Sequence, residues 1–141
     1  MQIGTRFSVA IHILLSAVFF RDTYKITSDL IAGSTHINPV IIRKIMGLLR
    51  EAGLIEVAIG TGGITLIKKT NEITLKDIYL AVNPIKDGKL FNIHKNSEQS
   101  CPIGGKIIDL LDPYFTEAQN AMENDLSKTT LQDILDELNN K

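Results

Sequence analysis

Cysteine and aromatic residues are scarce in this sequence, and a long hydrophobic run is missing from it. One cysteine, Cys101, stands among 141 residues, so no disulfide can form within the chain and no oxidising compartment is implied. Aromatic residues make up 6% and Trp is absent, which predicts an aliphatic core. The apolar stretch from Phe7 to Phe20 is shorter than the roughly 20 residues of a membrane-spanning helix and shows no signal-peptide cleavage pattern. We therefore expect a cytoplasmic protein without a membrane partner.

Charge is nearly balanced overall but unevenly distributed. The formal net charge is −1. Residues 1–76 hold nine Lys and Arg against five Asp and Glu, whereas residues 77–141 hold six against eleven. A basic first half and an acidic second half are typical of a DNA-binding head on a body that does not touch DNA.

The spacing of apolar residues predicts a helix near the start of the chain. From Phe7 to Phe19 they recur at intervals of three and four residues, and the other side of this segment is apolar as well. Such a helix is expected to lie between two bodies, the second of which can be another copy of the chain.

Residues that favour helix ends mark two further helices. Thr27 is a good N-cap for a short helix, which Gly33-Ser34 is expected to end. A turn over residues 34–37 leads to Asn38-Pro39, where Asn caps a helix and Pro takes its first position. This third helix is expected to end at Gly53.

Two β-rich stretches around a glycine turn follow. Residues 54–59 and 64–67 flank Gly60-Thr61-Gly62-Gly63, which indicates a β-hairpin. A helix, a short helix, a turn, a capped helix and a hairpin form a winged helix-turn-helix, with the hairpin as its wing. We assign residues 1–82 to this DNA-binding domain, whose last helix starts at Thr74-Leu75-Lys76-Asp77 and reaches Val82.

The second half contains a loop and a long helical pattern. We assign residues 83–102 to a sensor loop and residues 103–141 to a dimerisation helix and a C-terminal helix, which starts at Thr130. Pro113 allows one kinked helix or two abutting helices, and the unbroken apolar stripe favours one kinked helix. The predicted fold is mainly α with a small β-hairpin wing, a winged helix-turn-helix plus a long dimerisation helix.

The third helix is predicted to have a buried face and a DNA-reading face. The buried face comprises Ile41, Ile42, Ile45, Met46 and Leu49. The opposite face presents Val40, Arg43, Lys44 and Gly47. Because the first residues of a helix in the major groove reach base edges, we expect Asn38, Val40 and Arg43 to do so. Arg43 suits guanine and Val40 a thymine methyl group, and the glycine suggests a close approach at position 47.

Phosphate contacts are expected from the turn and from the same helix. Lys44, Ser34 and Thr35 are placed to hold phosphates, and His36 either touches phosphate or has no function. Taken singly, Arg43 and Lys44 would more often be the solvated face of a surface helix. The surrounding helices and hairpin favour DNA binding.

Motifs in both halves of the chain form a recognisable pattern. They are Arg6-Phe7-Ser8-Val9-Ala10, Asn38-Pro39-Val40-Ile41-Ile42-Arg43-Lys44-Ile45, Leu48-Leu49-Arg50-Glu51-Ala52-Gly53-Leu54-Ile55, Gly62-Gly63, Leu66 and Cys101-Pro102. This pattern resembles the Rrf-type family of bacterial winged-helix transcriptional regulators, over nearly the whole chain. The resemblance implies a repressor that forms homodimers through the long helix and binds a palindromic operator in double-stranded DNA.

The predicted wing departs from this family. Family wings carry an Arg or Lys that enters the minor groove, whereas Ile59 precedes the glycine turn here, and the wing is one residue shorter and uncharged. The hydroxyl of Thr61 and the wing backbone are expected to meet phosphate instead. The predicted DNA-binding residues are Ser34, Thr35, His36, Asn38, Pro39, Val40, Arg43, Lys44, Thr61 and Gly62.

The predicted sensor loop departs as well. Cluster-binding members of the family place three cysteines before the long helix, whereas this chain has Cys101 alone. Iron–sulfur clusters take several thiolates, and the three histidines show no metal-ligand spacing, so we predict no cofactor and no metal site.

Cys101 itself allows two interpretations. At the start of the long helix, the helix dipole and the nearby Lys95 and Lys106 would lower its pKa. Oxidants or electrophiles would then modify Cys101, shift the dimer helix and weaken DNA binding. The alternative is a buried, inert cysteine.

No catalytic constellation accompanies these features, so we expect no enzyme. The sequence shows no nucleophile–base pair, and the glycine turn lies between strands rather than before a helix, unlike a nucleotide loop. The leading interpretation is a sequence-specific transcriptional regulator. The alternative is a winged-helix module for protein–protein interaction without DNA binding, which the neutral wing allows.

Overall fold

The structure is a computed structural model that describes residues 4–60, 63–83 and 88–141. In chain order, they form α1 (Arg6–Phe19), α2 (Ser28–Thr35), α3 (Pro39–Glu51), β1 (Ile55–Val57), β2 (Ile64–Leu66), a 3-10 helix η1 (Thr70–Glu72), α4 (Leu75–Val82), α5 (Ile107–Leu126) and α6 (Leu131–Asn139). Six helices and one antiparallel hairpin within the described residues confirm the predicted fold class. Among these helices, none combines the length and the apolar character needed to span a bilayer.

Helix α1 lies at the centre of the core. Val9, Ala10, Ile13 and Leu14 are buried, and α1 contacts α2, α3 and β2 as well as α4 and α6. The apolar sides of α1 therefore pack against elements of the same chain, which supplies the second body itself.

Side-chain caps begin helices α2 and α3 as predicted. Thr27 Oγ1 accepts a hydrogen bond from the Leu30 amide at 3.2 Å, and Asn38 Oδ1 accepts one from the Val40 amide at 2.8 Å. Gly53 follows α3 with a φ of 78°, a left-handed conformation that glycine adopts without a steric penalty.

The prediction that helix α2 ends at Gly33-Ser34 is wrong, because the helix continues to Thr35. A glycine inside a helix costs about 1 kcal/mol without breaking it. His36 ends the helix instead, in a left-handed conformation with a φ of 60°. The turn between α2 and α3 is therefore shorter than the sequence indicated.

The wing is a hairpin of two three-residue strands, shorter than the predicted stretches. Ile55 lies opposite Leu66. The Ile64 amide donates to the Ile26 carbonyl at 3.0 Å, which joins the wing to the segment before α2. A Cβ at Gly63 would lie 2.8 Å from the Ile26 nitrogen, so glycine is what allows the two backbones to meet.

Two helix starts with the same capping residues lie side by side. Thr74 and Thr130 each form a capping box with the Asp three residues later, which confirms both predicted starts. The two threonines also form an antiparallel bridge. It brings α6 to the core, where Leu131 is buried. The division of the chain into domains at residues 82 and 102 stays a prediction.

Helix α5 continues through Pro113, so the prediction of a single helix is confirmed. The helix begins at Ile107 rather than at Ile103, because two glycines pack closely against the loop before it. A Cβ at Gly104 would lie 2.8 Å from the carbonyl oxygen of Glu98, and a Cβ at Gly105 would lie 2.8 Å from that of Gln99. Residues 102–106 therefore form turns.

Candidate nucleic-acid interface

Helix α3 buries one face and exposes a basic face. Its buried residues are Ile42, Ile45, Met46 and Leu49. Ile41, predicted to be buried, is 49% exposed, because the buried residues follow the i, i+3, i+4, i+7 spacing and Ile41 lies outside it. Val40, Arg43 and Lys44 are exposed, as predicted.

The Arg43 guanidinium lies beside the first residue of α2. Its Nη1 donates to Ser28 Oγ at 3.4 Å. Within the described residues one ion pair is present, and it involves α5, so Arg43, Lys44 and Arg50 have no carboxylate partner there. The three cations of α3 are available to an external anion.

The hydroxyls of the last two residues of α2 have partners inside the protein. Ser34 Oγ lies 2.8 Å from His12 Nε2. Thr35 Oγ1 donates to one backbone carbonyl and accepts from one backbone amide of its own turn. The Thr35 hydroxyl is therefore engaged in ending α2, whereas Ser34 and His36 are exposed. The sequence did not reveal His12 because it stands 22 positions from Ser34.

Most of the predicted DNA-binding residues lie in one continuous segment, residues 34–44. Its exposed predicted residues are Ser34, His36, Asn38, Val40, Arg43 and Lys44. Thr35 and Pro39 are half-buried. The side-chain oxygen of Asn38 is used by the helix cap, which leaves its NH2 group to donate outward. Thr61 and Gly62 lie outside the described residues.

A groove of about 370 Å³ separates α3 from the wing. We call it the wing groove. Its described lining comprises Ile26, Thr27, Ser28, Arg43, Met46, Gly47, Arg50, Val57, Gly60, Gly63 and Ile64. None of these residues is acidic. Arg50 was not among the predicted site residues, because the sequence alone does not show that the wing folds beside it.

Gly47 forms part of the wing groove between the two arginines. A Cβ at this position would meet no atom within 4 Å. The close approach that the sequence suggested is therefore not made by the chain itself within its described residues.

Cys101 is exposed rather than buried, and it precedes the first turn of α5 by six residues rather than beginning the helix. The Gly104 amide donates to its Sγ at 3.3 Å. Hydrogen bonds from the backbone amides of Gly104 and Ile103 lower the pKa of the Cys101 thiol. The direction agrees with the predicted one, and the causes are these amides, since Cys101 lies outside α5.

The segment before Cys101 is attached to α5. The Gln119 side chain donates to the Gly88 carbonyl at 2.8 Å and accepts from the Leu90 amide at 2.9 Å. The ring of Phe91 packs with its centroid 5.3 Å from that of Phe115. The predicted sensor loop and α5 are therefore in direct contact.

The chain is similar over nearly its whole length to transcriptional regulators. The sequence profile of the Rrf2 family, described as an iron-dependent transcriptional regulator, matches residues 3–137. YwnA of Bacillus subtilis (strain 168), classed as an HTH-type transcriptional regulator, is 38% identical over 137 residues, which cover 97% of this chain and 99% of YwnA.

Solved structures share the fold. One from Lactobacillus plantarum, described as a transcriptional regulator, is 29% identical with a TM-score of 0.79, over 97% of this chain and 91% of that chain. Another, described as a DNA-binding protein, is 35% identical with a TM-score of 0.74, over 92% of this chain and 98% of that chain.

The residues of this chain do not fit an iron–sulfur cluster. Such clusters are held by several thiolates, and Cys101 is the one cysteine of the sequence. In the part of the chain that the structure describes, no group of three or more His, Cys, Asp or Glu side chains could hold a metal ion. The iron in the family's description has no matching donor set among these residues.

The open space at Gly47 generates a stability prediction. Gly47→Ala is expected to raise the free energy of unfolding by about 1 kcal/mol, because alanine favours the helix interior and its Cβ meets nothing. Urea denaturation at a fixed protein concentration measures the change. Gly33→Ala is the matched control, since Gly33 is also helical with open space around it. Stabilisation by Gly33→Ala alone would contradict the prediction.

Proposed function

Because the chain belongs to the Rrf2 family and is a DNA-binding transcriptional regulator, we propose that it is a cytoplasmic repressor that binds a palindromic operator as a homodimer. The observation that carries this proposal is the exposed face of α3. Two cations without a carboxylate partner in the described residues, Arg43 and Lys44, lie in the second turn of this capped helix. A helix fits the major groove of B-DNA, and its first residues reach the base edges.

The residues that contact DNA in this proposal come from the segment 34–44. Val40 and the side-chain amide of Asn38 meet base edges at the start of α3, and Lys44 lies one turn further along the same helix. Ser34 and His36 are exposed beside them and contact the backbone of the operator. Thr35 and Pro39 support this surface from half-buried positions. Thr61 and Gly62 of the wing are proposed to meet phosphate.

Helix α5 supports the homodimer. None of its residues is buried in the single chain. Leu110 is 54% exposed and Tyr114 71% exposed, and with Ala118 and Ala121 they form an apolar stripe along one face. A stripe of this kind packs against the same stripe of a second copy, since most soluble homodimers are two-fold symmetric. Two α3 helices related by a two-fold axis read a palindrome.

Regulation by thiol chemistry is the further part of this proposal. Cys101 is exposed and its pKa is lowered by the amides of Gly104 and Ile103, which favours the reactive thiolate. The segment that precedes it contacts α5 through Gln119. Modification of the thiol would therefore disturb the helix that joins the two copies and weaken DNA binding.

A winged-helix module for protein–protein interaction is the second candidate. It is favoured by the wing tip, where Ile59 is fully exposed and the described residues carry no charge. In this candidate, the exposed face of α3 binds a protein and not DNA.

Dimerisation is tested by charge on the apolar stripe. Tyr114→Glu is expected to raise the dimer dissociation constant about 100-fold or more, because burying an unpaired carboxylate costs about 3 kcal/mol. Sedimentation analysis and DNA affinity should change together. Thr116→Glu adds the same charge two residues along the helix, on a different face, and is expected to leave the dimer intact. Equal dimers in both variants would place the interface elsewhere.

Salt separates the two candidate functions. The protein is expected to retain DNA fragments from a random pool, with log affinity falling by about 0.9 per phosphate contact for each unit of log salt. Lys44→Gln should flatten this slope by about 1, whereas Lys128→Gln in the acidic half should leave it unchanged. Retention of no fragment, or binding that is independent of salt, would favour protein–protein interaction instead.

The thiol is tested by its pH dependence. Because a lowered pKa keeps the thiolate at lower pH, alkylation of Cys101 by iodoacetamide should reach half its maximal rate below pH ~8.5, the ordinary value for cysteine. Cys101→Ser should show no labelling. The alkylated protein is expected to bind its operator more weakly than the unmodified one. Unchanged affinity would contradict regulation through this thiol and leave DNA binding untouched.

A further inference from the structure

The wing groove has the chemistry of a site for a DNA strand. We propose that it binds the sugar–phosphate backbone of the operator, with Arg50 and Arg43 as phosphate ligands and Ser28 as a hydroxyl donor. This inference rests on the proposed function, and it adds Arg50 and Ser28 to the residues that hold DNA. It also assigns Arg43 to phosphate, where the sequence indicated a guanine.

The two arginines stand on one face of α3. Arg43, Gly47 and Arg50 have the spacing i, i+4, i+7, which places them on the same side of a helix. Their Cα atoms are separated by about 10 Å along the helix axis at the standard rise. Between them, position 47 has no side chain, and nothing lies within 4 Å of where a Cβ would be. The absence of a side chain between the two guanidinium groups therefore leaves space for the backbone of a DNA strand.

The charges of the wing groove are complementary to a polyanion. Its described lining contains two arginines and no acidic residue. Asp29, the acidic residue nearest in sequence to Ser28, lines a different depression together with Ser16 and Phe20. A guanidinium without a carboxylate partner binds phosphate strongly, since its planar N–H groups match the phosphate oxygens.

The position of Arg43 favours phosphate over a base. Its Nη1 reaches Ser28 Oγ at 3.4 Å, at the first residue of α2. This hydrogen bond turns the guanidinium towards α2 and the wing groove. A phosphate beside this pair would accept hydrogen bonds from the remaining N–H groups of Arg43 and from the Ser28 hydroxyl, so that both side chains bind it together.

Duplex DNA, and not a small anion, is the occupant that the surroundings favour. The wing groove is continuous with the exposed start of α3, because Arg43 belongs to both. Apolar side chains of Met46, Val57 and Ile64 also line the wing groove and suit the apolar faces of deoxyribose. In this arrangement Arg50 of α3 supplies, beside the wing, the positive charge that the wing tip itself lacks.

The salt dependence of binding tests this inference. The probes are the duplex that the wild-type protein selects from a random pool and a duplex of unrelated sequence. Arg50→Gln and Arg43→Gln should each flatten the slope of log affinity against log salt by about 0.9, and the double variant by about twice that value. Affinity for both duplexes should fall by the same factor, so that their ratio is unchanged. Arg21→Gln, an exposed arginine outside the wing groove, is the matched control and should keep the wild-type slope.

The outcomes separate this inference from the proposed function. If the wild-type protein shows no salt-dependent DNA binding, the proposed function itself fails. If it binds but Arg50→Gln keeps the wild-type slope, the wing groove does not hold phosphate. Loss of preference for the selected duplex in Arg43→Gln would return that arginine to base recognition.

Gly47→Glu, which places a carboxylate between the guanidinium groups, should lower the affinity for both duplexes at least tenfold while the thermal unfolding of the variant stays cooperative. Full affinity in this variant would also overturn the inference.

Discussion

The rotation of α3 about its own axis is the constraint on which the proposed DNA-binding surface depends. Ile42, Ile45 and Leu49 are at most 2% exposed, and burying a side chain of this kind contributes about 1.5–3 kcal/mol. The helix cannot turn without exposing this stripe, so the opposite residues are fixed as well. The side of the helix on which Arg43 and Arg50 stand follows from that packing, since no ion pair orients them within the described residues. The exposed face of α3, which is proposed to read DNA, is thus a consequence of the core.

Helix α5 has the opposite relation to the core. Its described neighbours leave all of its residues at least partly exposed, while α6 after it returns to the centre of the molecule and buries Leu131 and Leu135. The bridge between Thr74 and Thr130 fixes this return. A long helix that is held at its end and covered along only one side keeps an apolar surface in water, which is unfavourable unless another chain covers it. The second copy in the proposed dimer meets this requirement.

Local chemistry made some features predictable, and tertiary contacts decided the others. Thr27, Asn38-Pro39 and the repeated Thr74 and Thr130 starts could be identified from the sequence, because a cap is completed within three or four residues. The start of α5 could not, since it depends on Gly104 and Gly105 packing against a loop carbonyl. The exposure of the predicted site residues in the segment 34–44 could be predicted for the same local reason. Arg50, Ser28 and His12 were missed because their relevance comes from elements that meet only in the folded chain.

The two departures from the family pattern act on different parts of the same molecule. The wing lacks a cation, and the proposed phosphate contact of Arg50 supplies one from the rigid helix beneath it. The predicted sensor loop has one thiol. The Gly104 amide, which lowers the pKa of this thiol, also belongs to the turns that precede α5. An adduct on Sγ would displace that amide, because a modified sulfur no longer offers the thiolate acceptor. The proposed response needs no metal, since the disturbed turns lead directly into α5, the helix that is proposed to join the two copies.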